Sequence, residues 1–143
     1  MDNLTFGFFK PDGLKNMEQI LNLINTHGFT IIEMSVEKEL TRSQAEQFYA
    51  VHKERPYFDS LIRFTIKGKI VAFILRKNDA INGFRKLLGN TDPAKAEEGT
   101  IRKLFGNAEL YAQGIPANVI HASDSHENFL IESKMFFPEF EPD

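Results

Sequence analysis

Ile70-Val71-Ala72-Phe73-Ile74-Leu75, an unbroken apolar run shortly after Gly68, decides the fold. A strand that meets water on one face alternates, so a run without alternation predicts a strand buried on both faces at the centre of a sheet. Upstream, Leu4-Thr5-Phe6-Gly7-Phe8-Phe9 reads as a second strand with Leu4, Phe6 and Phe8 on one face, and Pro11-Asp12-Gly13 ends it just past Lys10. Met17, Ile20, Leu21 and Ile24 recur at helical spacing, and Gly28 stands where a C-terminal cap belongs. A further strand is expected from about Phe29 to Glu37. Thr41-Arg42-Ser43-Gln44 has the form of a capping box and opens a helix carrying Phe48, Tyr49 and Val51 until Arg55-Pro56 stops it. Tyr57 and Phe58 begin a new segment. Beyond the central run, Ile81, Phe84 and Leu88 mark a helix.

Gly89 to Gly99 has no periodicity and reads as a long surface loop, a class of segment that often carries function. A short apolar piece from Ile101 to Phe105 leads through Gly106, Gly114 and Pro116 to a final strand ending at His121. Phe129, Glu132 and Phe136 then share one helical stripe. The order β-α-β-α-β-α-β-α predicts a single α+β domain over residues 1–143 with βαββαβ packing.

At 143 residues the chain buries enough surface to fold without metal or disulfide staples. A hydrophobic fraction of 42% with 14 Phe and no Trp indicates a Phe-rich core. The net charge of -3 gives no global attraction to nucleic acid or anionic membrane, so any anion site is local. The absence of cysteine removes disulfides and thiolate zinc sites, and fits a reducing compartment. Met1 to Phe9 lacks the character of a signal peptide, and no apolar stretch approaches the roughly 20 residues of a membrane span. A soluble, cytoplasmic protein with no membrane contact is expected.

The chemistry centres on Asn118-Val119-Ile120-His121-Ala122-Ser123-Asp124-Ser125. One histidine ends a β-like run among short hydrogen-bonding side chains. A neutral imidazole attacks phosphorus at neutral pH when a neighbour fixes its tautomer. The octapeptide equally describes a strand end entering a helix capped by Ser123, Asp124 or Ser125. Glu132, on an otherwise aromatic stripe, needs a partner if it points inward, and His121 is the partner expected. A carboxylate on one ring nitrogen leaves the other as nucleophile, although the same pair also serves as a structural salt bridge.

Lys10, Arg85 and Arg102 are candidate phosphate clamps, because phosphoryl transfer asks a protein mainly for positioning and charge neutralisation. Singly, each also reads as a solvated surface charge. Thr91 offers a hydroxyl donor or a loop cap. Tyr57 is either a platform for a base or a core aromatic. His27 and His126 show no such context. No G-x-x-x-x-G-K-[ST] or G-x-G-x-x-G element is present, which excludes P-loop and Rossmann nucleotide binding.

Five motifs in order, Lys10-Pro11-Asp12-Gly13, Tyr49 with Arg55-Pro56-Tyr57-Phe58, Leu88-Gly89-Asn90-Thr91-Asp92-Pro93, Gly99-Thr100-Ile101-Arg102 and Asn118-Val119-Ile120-His121, resemble those of the nucleoside diphosphate kinases over about Leu4 to Phe137. The resemblance implies a ferredoxin-like fold with a four-stranded antiparallel sheet. It also implies ping-pong transfer of a γ-phosphoryl group from a nucleoside triphosphate to a diphosphate through phosphohistidine, with ATP, ADP, GTP, GDP and their deoxy forms as partners. His121 corresponds to the phosphoryl acceptor, Glu132 and Ser123 to its orienting groups, and Tyr49 to a side chain bonding near the same ring. Lys10 would meet the transferred phosphate and the ribose, Arg85, Thr91 and Arg102 the phosphates, and His52 the α-phosphate. Tyr57, where the family commonly has Phe, would stack on the base opposite Ile115, with Asn118 on the ribose. Asp124 would reach a nucleotide-bound Mg²⁺ through water. A homo-oligomer, tetramer or hexamer built from dimers, is also implied.

Three departures stand out. Ala122 replaces the glycine that commonly follows the active histidine, at a cost of about 1 kcal/mol if the backbone there needs φ > 0. The chain is about two residues shorter after Gly13 and about six longer between Arg102 and Asn118. A module that binds nucleotide without turnover is the alternative reading, and a nucleic-acid role is opposed by the acidic balance.

Overall fold

In the computed structural model, which describes residues 3–142, β4 (Lys69–Arg76) occupies the middle of the sheet. Met1, Asp2 and Asp143, the ends of the expected domain, lie outside the described residues. β1 (Leu4–Phe9) pairs antiparallel with β4, placing Phe6 opposite Ile74 and Gly7 opposite Phe73. On the far side of β1 lies β5 (Ile120–Ala122), also antiparallel, with Phe8 opposite His121. β2 (Thr30–Met34) flanks β4 on its other side, giving the order β2-β4-β1-β5.

A fifth strand corrects the expectation of four. β3 (Lys38–Glu39) pairs antiparallel with Ile70 and Lys69 at the start of β4. Two residues carry no alternation, so no periodicity announces such a strand. The strand expected over Phe29 to Glu37 is likewise shorter at both ends, and its pairing shifts register between Ile31 and Glu33.

Both faces of the β1–β4 pair are covered, which explains why β4 lacks alternation. On one face Phe9, Val71, Phe73 and Leu75 pack with Ile20 and Ile24 of α1 (Met17–Thr26) and Phe84 and Leu88 of α4 (Ala80–Leu88). On the other, Leu4, Phe6, Phe8, Ala72 and Ile74 meet Phe48 of α2 (Arg42–Phe48), Ile62 of α3 (Phe58–Ile66) and Phe129 of α7 (His126–Phe136). Each fully buried Phe or Ile contributes about 2–3 kcal/mol of transfer free energy. Gly7 is fixed by packing, since a Cβ there would lie 2.7 Å from the His121 carbonyl oxygen and 2.8 Å from the Phe73 ring.

Local signals set the helix ends. The Thr41 hydroxyl accepts from Gln44 N and the Gln44 side chain accepts from Thr41 N, completing the capping box. Gly28 closes α1 at φ +87°. Among the three candidates after His121, Ser125 caps α7 by accepting from Asn128 N at 3.1 Å. Two short helices, α5 (Ile101–Phe105) and α6 (Ala108–Ala112), join the long loop to β5.

Candidate active site

The segment before His121 is not simply extended. Val119 takes φ +78°, a left-handed conformation rare for a β-branched residue, so the strand begins only at Ile120. The conformation is held from the β1 side. Lys10 N donates to Val119 O at 2.8 Å, Val119 N donates to the Asp12 carboxylate at 3.1 Å, and a Cβ at Gly13 would lie 2.6 Å from Val119 O. Burial raises the Asp12 pKa against the opposing pull of Lys10. The Lys10-Pro11-Asp12-Gly13 motif therefore clamps the strand that carries His121. Ala122 lies in β5 and is not among the residues with positive φ, so its methyl carries no left-handed cost.

His121 and Glu132 meet with Nε2 2.9 Å from Oε1, and the Ser123 hydroxyl donates to the same carboxylate oxygen at 2.7 Å. Both side chains are largely buried, at 17% and 15% exposure. With Nε2–H donated to Glu132, the neutral ring keeps its lone pair on Nδ1. Phe8 stacks on the imidazole at 5.2 Å and 22°, while Phe48 and Tyr49 stand edge-on at 5.0 and 5.6 Å. Rotation of the ring is thus blocked on several sides. Tyr49 reaches His121 by this ring contact. Its buried hydroxyl meets no partner in good hydrogen-bond geometry, and burial followed by the Glu132 charge raises its pKa.

All the sequence-selected residues except Glu132 and Ser123 line one cleft of about 510 Å³, and those two stand behind His121. At its floor Lys10 Nζ donates to Asn118 Oδ1 at 2.8 Å, and Asn118 Nδ2 donates to Thr91 O at 3.0 Å. Burial, reinforced by the Arg102 charge, lowers the Lys10 pKa to about 7. Arg102, also buried, spends three donors on backbone, reaching Asn118 O at 3.1, Gly89 O at 3.2 and Ile120 O at 2.7 Å. Of the five guanidinium N–H groups, two remain for the cleft. Burial and then the nearby Arg85 lower its pKa to about 10, so it stays charged at neutral pH. Arg85 and Thr91 lie exposed on the same wall.

The rim is aromatic. Tyr57 is 48% exposed, and its hydroxyl lies 2.8 Å from His52 Nδ1. Burial, then the charges of His121 and Arg55, hold His52 below its ordinary pKa. Ile115 also lines the cleft, in the segment between Arg102 and Asn118. Part of that segment folds as α6, capped by Asn107 accepting from Leu110 N at 2.9 Å, and Gly114 beyond it is tied to α3 by Ser60 Oγ donating to Gly114 O at 2.7 Å. Asp124 sits exposed at one end and accepts from Asn128 Nδ2 at 2.6 Å.

Sequence reasoning missed two contributors. Asp12, in the turn that follows β1, accepts from Val119 N, a long-range contact that no local pattern encodes. Tyr111 enters the cleft from α6, whose single turn is too short to show a period. The extra length that the family resemblance implies there was the available signal.

The comparisons agree with this geometry. A model of the nucleoside diphosphate kinase family matches residues 3–142. A nucleoside diphosphate kinase of Flavobacterium psychrophilum is 44% identical over 137 residues, 94% of each chain, and one of Chlorobaculum tepidum is 45% identical over 135 residues, 93% of this chain and 91% of that one. Among solved structures, the Aquifex aeolicus nucleoside diphosphate kinase superposes with a TM-score of 0.85 at 34% identity, covering 94% of both chains. A halophilic nucleoside diphosphate kinase from Halobacterium salinarum in complex with CDP gives 0.86 at 29% identity, covering 100% of this chain and 94% of that one. With its clamped histidine strand, its ferredoxin-like sheet and full-length relatives above 40% identity, the chain belongs to the nucleoside diphosphate kinase family.

Proposed function

We propose that this member of the family exchanges phosphoryl groups between nucleotides in two half-reactions on His121. The observation that carries the assignment is the 2.9 Å contact of His121 Nε2 with Glu132, which leaves the Nδ1 lone pair available. In the first half-reaction Nδ1 attacks the γ-phosphorus of a nucleoside triphosphate. The bond from that phosphorus to the β–γ bridging oxygen breaks, and the diphosphate departs with the electron pair. In the second, the terminal oxygen of an acceptor diphosphate attacks the phosphorus and the P–N bond returns its electrons to Nδ1. Glu132, held by Ser123, stabilises the cationic ring.

Lys10, Arg85 and Arg102 offset the phosphate charge, Thr91 donates its hydroxyl to a phosphate oxygen, His52 meets the α-phosphate, and Asn118 binds the ribose with Lys10. The hydrogen bond of Lys10 Nζ to Asn118 Oδ1 sets these two groups side by side, so one nucleotide can meet both. Tyr57 and Ile115 take the base between them. Stacking suits any base, which supports use of ATP, ADP, GTP, GDP and deoxy forms alike.

Mg²⁺ would be carried into the cleft on the nucleotide's phosphates. Among the described residues no group of three or more His, Asp or Glu forms a cage, whereas Asp124 offers one exposed carboxylate at the cleft. That donor set fits a magnesium ion held by phosphate oxygens and water with one protein carboxylate beyond. When bound it supplies charge neutralisation on the phosphates.

We assign the catalytic unit to the single domain over 1–143, acting in the cytoplasm. No helix among the described residues is long and apolar enough to cross a membrane. A homo-oligomer built from dimers, tetramer or hexamer, is supported by Ile31, Met34 and Val36, exposed on and beside edge strand β2, and light scattering gives its size. The central test is intact mass after incubation with ATP and Mg²⁺ but no acceptor. One phosphoryl group is expected, lost on adding GDP and absent in His121→Ala. Nucleotide binding without added mass would instead identify a silent binding module.

A further inference from the structure

Tyr57 does something at this site that a phenylalanine cannot. Its hydroxyl lies 2.8 Å from His52 Nδ1, and the rings sit 5.6 Å apart at 53°. His52 in turn faces Tyr49 at 6.1 Å, and Tyr49 faces His121 at 5.6 Å, so an aromatic row runs from the rim to the nucleophile. The backbone fixes both partners. His52 N donates to Tyr49 O at 2.8 Å, Arg55 N to His52 O at 2.8 Å, and Pro56 precedes Tyr57 with its φ locked.

A neutral imidazole has one N–H and one lone pair, and which nitrogen carries the proton is set by the partner of the other. Burial first, then His121 and Arg55, lower the His52 pKa and so favour the neutral ring, against the smaller opposite pull of Asp124 and Glu132. A phosphate oxygen requires a donor. If Nδ1 held the proton, the remaining nitrogen would turn a lone pair toward the phosphate, and the contact would be repulsive. A phenol O–H that donates to Nδ1 stabilises the Nδ1 lone pair and so disfavours that state, a phenol being a better donor than acceptor.

We propose that Tyr57 is a positioning residue for His52: its O–H donates to Nδ1, so that His52 offers Nε2–H to the bound nucleotide while the same tyrosine ring stacks on the base. This rests on the assignment of His52 to the α-phosphate above. It couples base platform and phosphate contact through one hydrogen bond, and ring and hydroxyl separate cleanly in Tyr57→Phe.

The test is ¹⁵N imidazole NMR on the full chain, with His52 assigned by its loss in His52→Gln, alongside steady-state kinetics. The expected wild-type spectrum shows His52 protonated on Nε2 with a free Nδ1 lone pair. In Tyr57→Phe a second, Nδ1–H population emerges and the His52 pKa rises. KM for the diphosphate increases about three- to tenfold with kcat within twofold, the scale of one neutral hydrogen bond. Adding Tyr57→Phe to His52→Gln costs nothing further, as expected of coupled residues. A wild-type Nδ1–H tautomer, an unchanged tautomer in Tyr57→Phe, or additive kinetic effects would overturn the proposal. Phosphorylation of His121 by ATP is measured on the same preparations. Its failure strikes the kinase assignment, while the tautomer measurement independently decides the Tyr57–His52 bond.

Discussion

Nucleotide binding to this chain should take up a proton at Lys10, and affinity should fall as the pH rises. In the free site the Lys10 pKa is lowered to about 7 by burial and by Arg102, with only Asp12 pulling it back. Bound phosphates bring at least two negative charges to a low-dielectric site, which restores the ammonium well above that value. The sign follows directly. Between pH 7 and pH 9 the free site has lost the proton and the complex keeps it, so alkali favours the free form. With a free-site pKa of 7, the fraction still protonated is about one half at pH 7, one eleventh at pH 8 and one hundredth at pH 9. Kd for ADP therefore rises about fivefold from pH 7 to 8 and about fiftyfold by pH 9, approaching 1.4 kcal/mol per pH unit. Nucleotide phosphates finish titrating near pH 6–7, Arg102 titrates near 10, and His52 is held below its ordinary value. Isothermal titration calorimetry in buffers of different ionisation enthalpy reads the proton uptake, about half a proton at pH 7 and nine tenths at pH 8. Lys10→Met should bind more weakly with no such uptake. Uptake below about a tenth of a proton at pH 8 in the wild type, or an equal slope in Lys10→Met, would refute the reasoning.

Three other outcomes are expected. Glu132→Gln, which keeps the size but loses the charge facing His121, should slow phosphorylation of His121 at least tenfold in rapid-quench kinetics while ADP affinity stays within twofold, since Glu132 stands behind the ring. Ala122→Gly should leave turnover unchanged and lower Tm by about 2–4 °C, because Ala122 lies in an extended strand where glycine costs about 0.5–1 kcal/mol. Tyr111→Ala should weaken ADP about three- to tenfold by equilibrium titration with His121 still phosphorylated by ATP, because α6 carries that ring into the cleft; unchanged affinity would reduce α6 to a surface embellishment.

What could be read from the sequence was whatever chemistry is local. The apolar run of β4, the Thr41–Gln44 box and the pairing of His121 with Glu132 across one helical stripe are all written in short-range spacing. β3, two residues long, and α6, a single turn, hold no period to read, and they are stable only because β4 and α3 supply their partners. The bend at Val119 is the clearest case. Its local sequence, Val between Asn and Ile, favours an extended strand. The left-handed turn persists because Asp12, Lys10 and a glycine with no Cβ at position 13 hold both of its peptide groups from more than a hundred residues away.

That strain bears on function through what it positions. Val119 N is held by Asp12 and Val119 O by Lys10 N, and the adjoining residues Asn118 and Ile120 give their carbonyls to Arg102. Asn118, proposed for the ribose, Lys10 and Arg102, proposed for the phosphates, and the strand that carries His121 are thus braced against one another around a single backbone kink. An extended Val119 would rotate Asn118 away from Lys10 and Thr91, release Arg102 from one of its carbonyls and shift His121 against Phe8. A left-handed residue costs about 1–3 kcal/mol, and the six hydrogen bonds that Lys10, Asp12, Thr91 and Arg102 make with residues 118–120, each worth about 0.5–1.5 kcal/mol net, together exceed it. The excess explains how a β-branched side chain is tolerated at the kink, and why Asp12, which touches no proposed substrate group, belongs to the site as firmly as the residues that do.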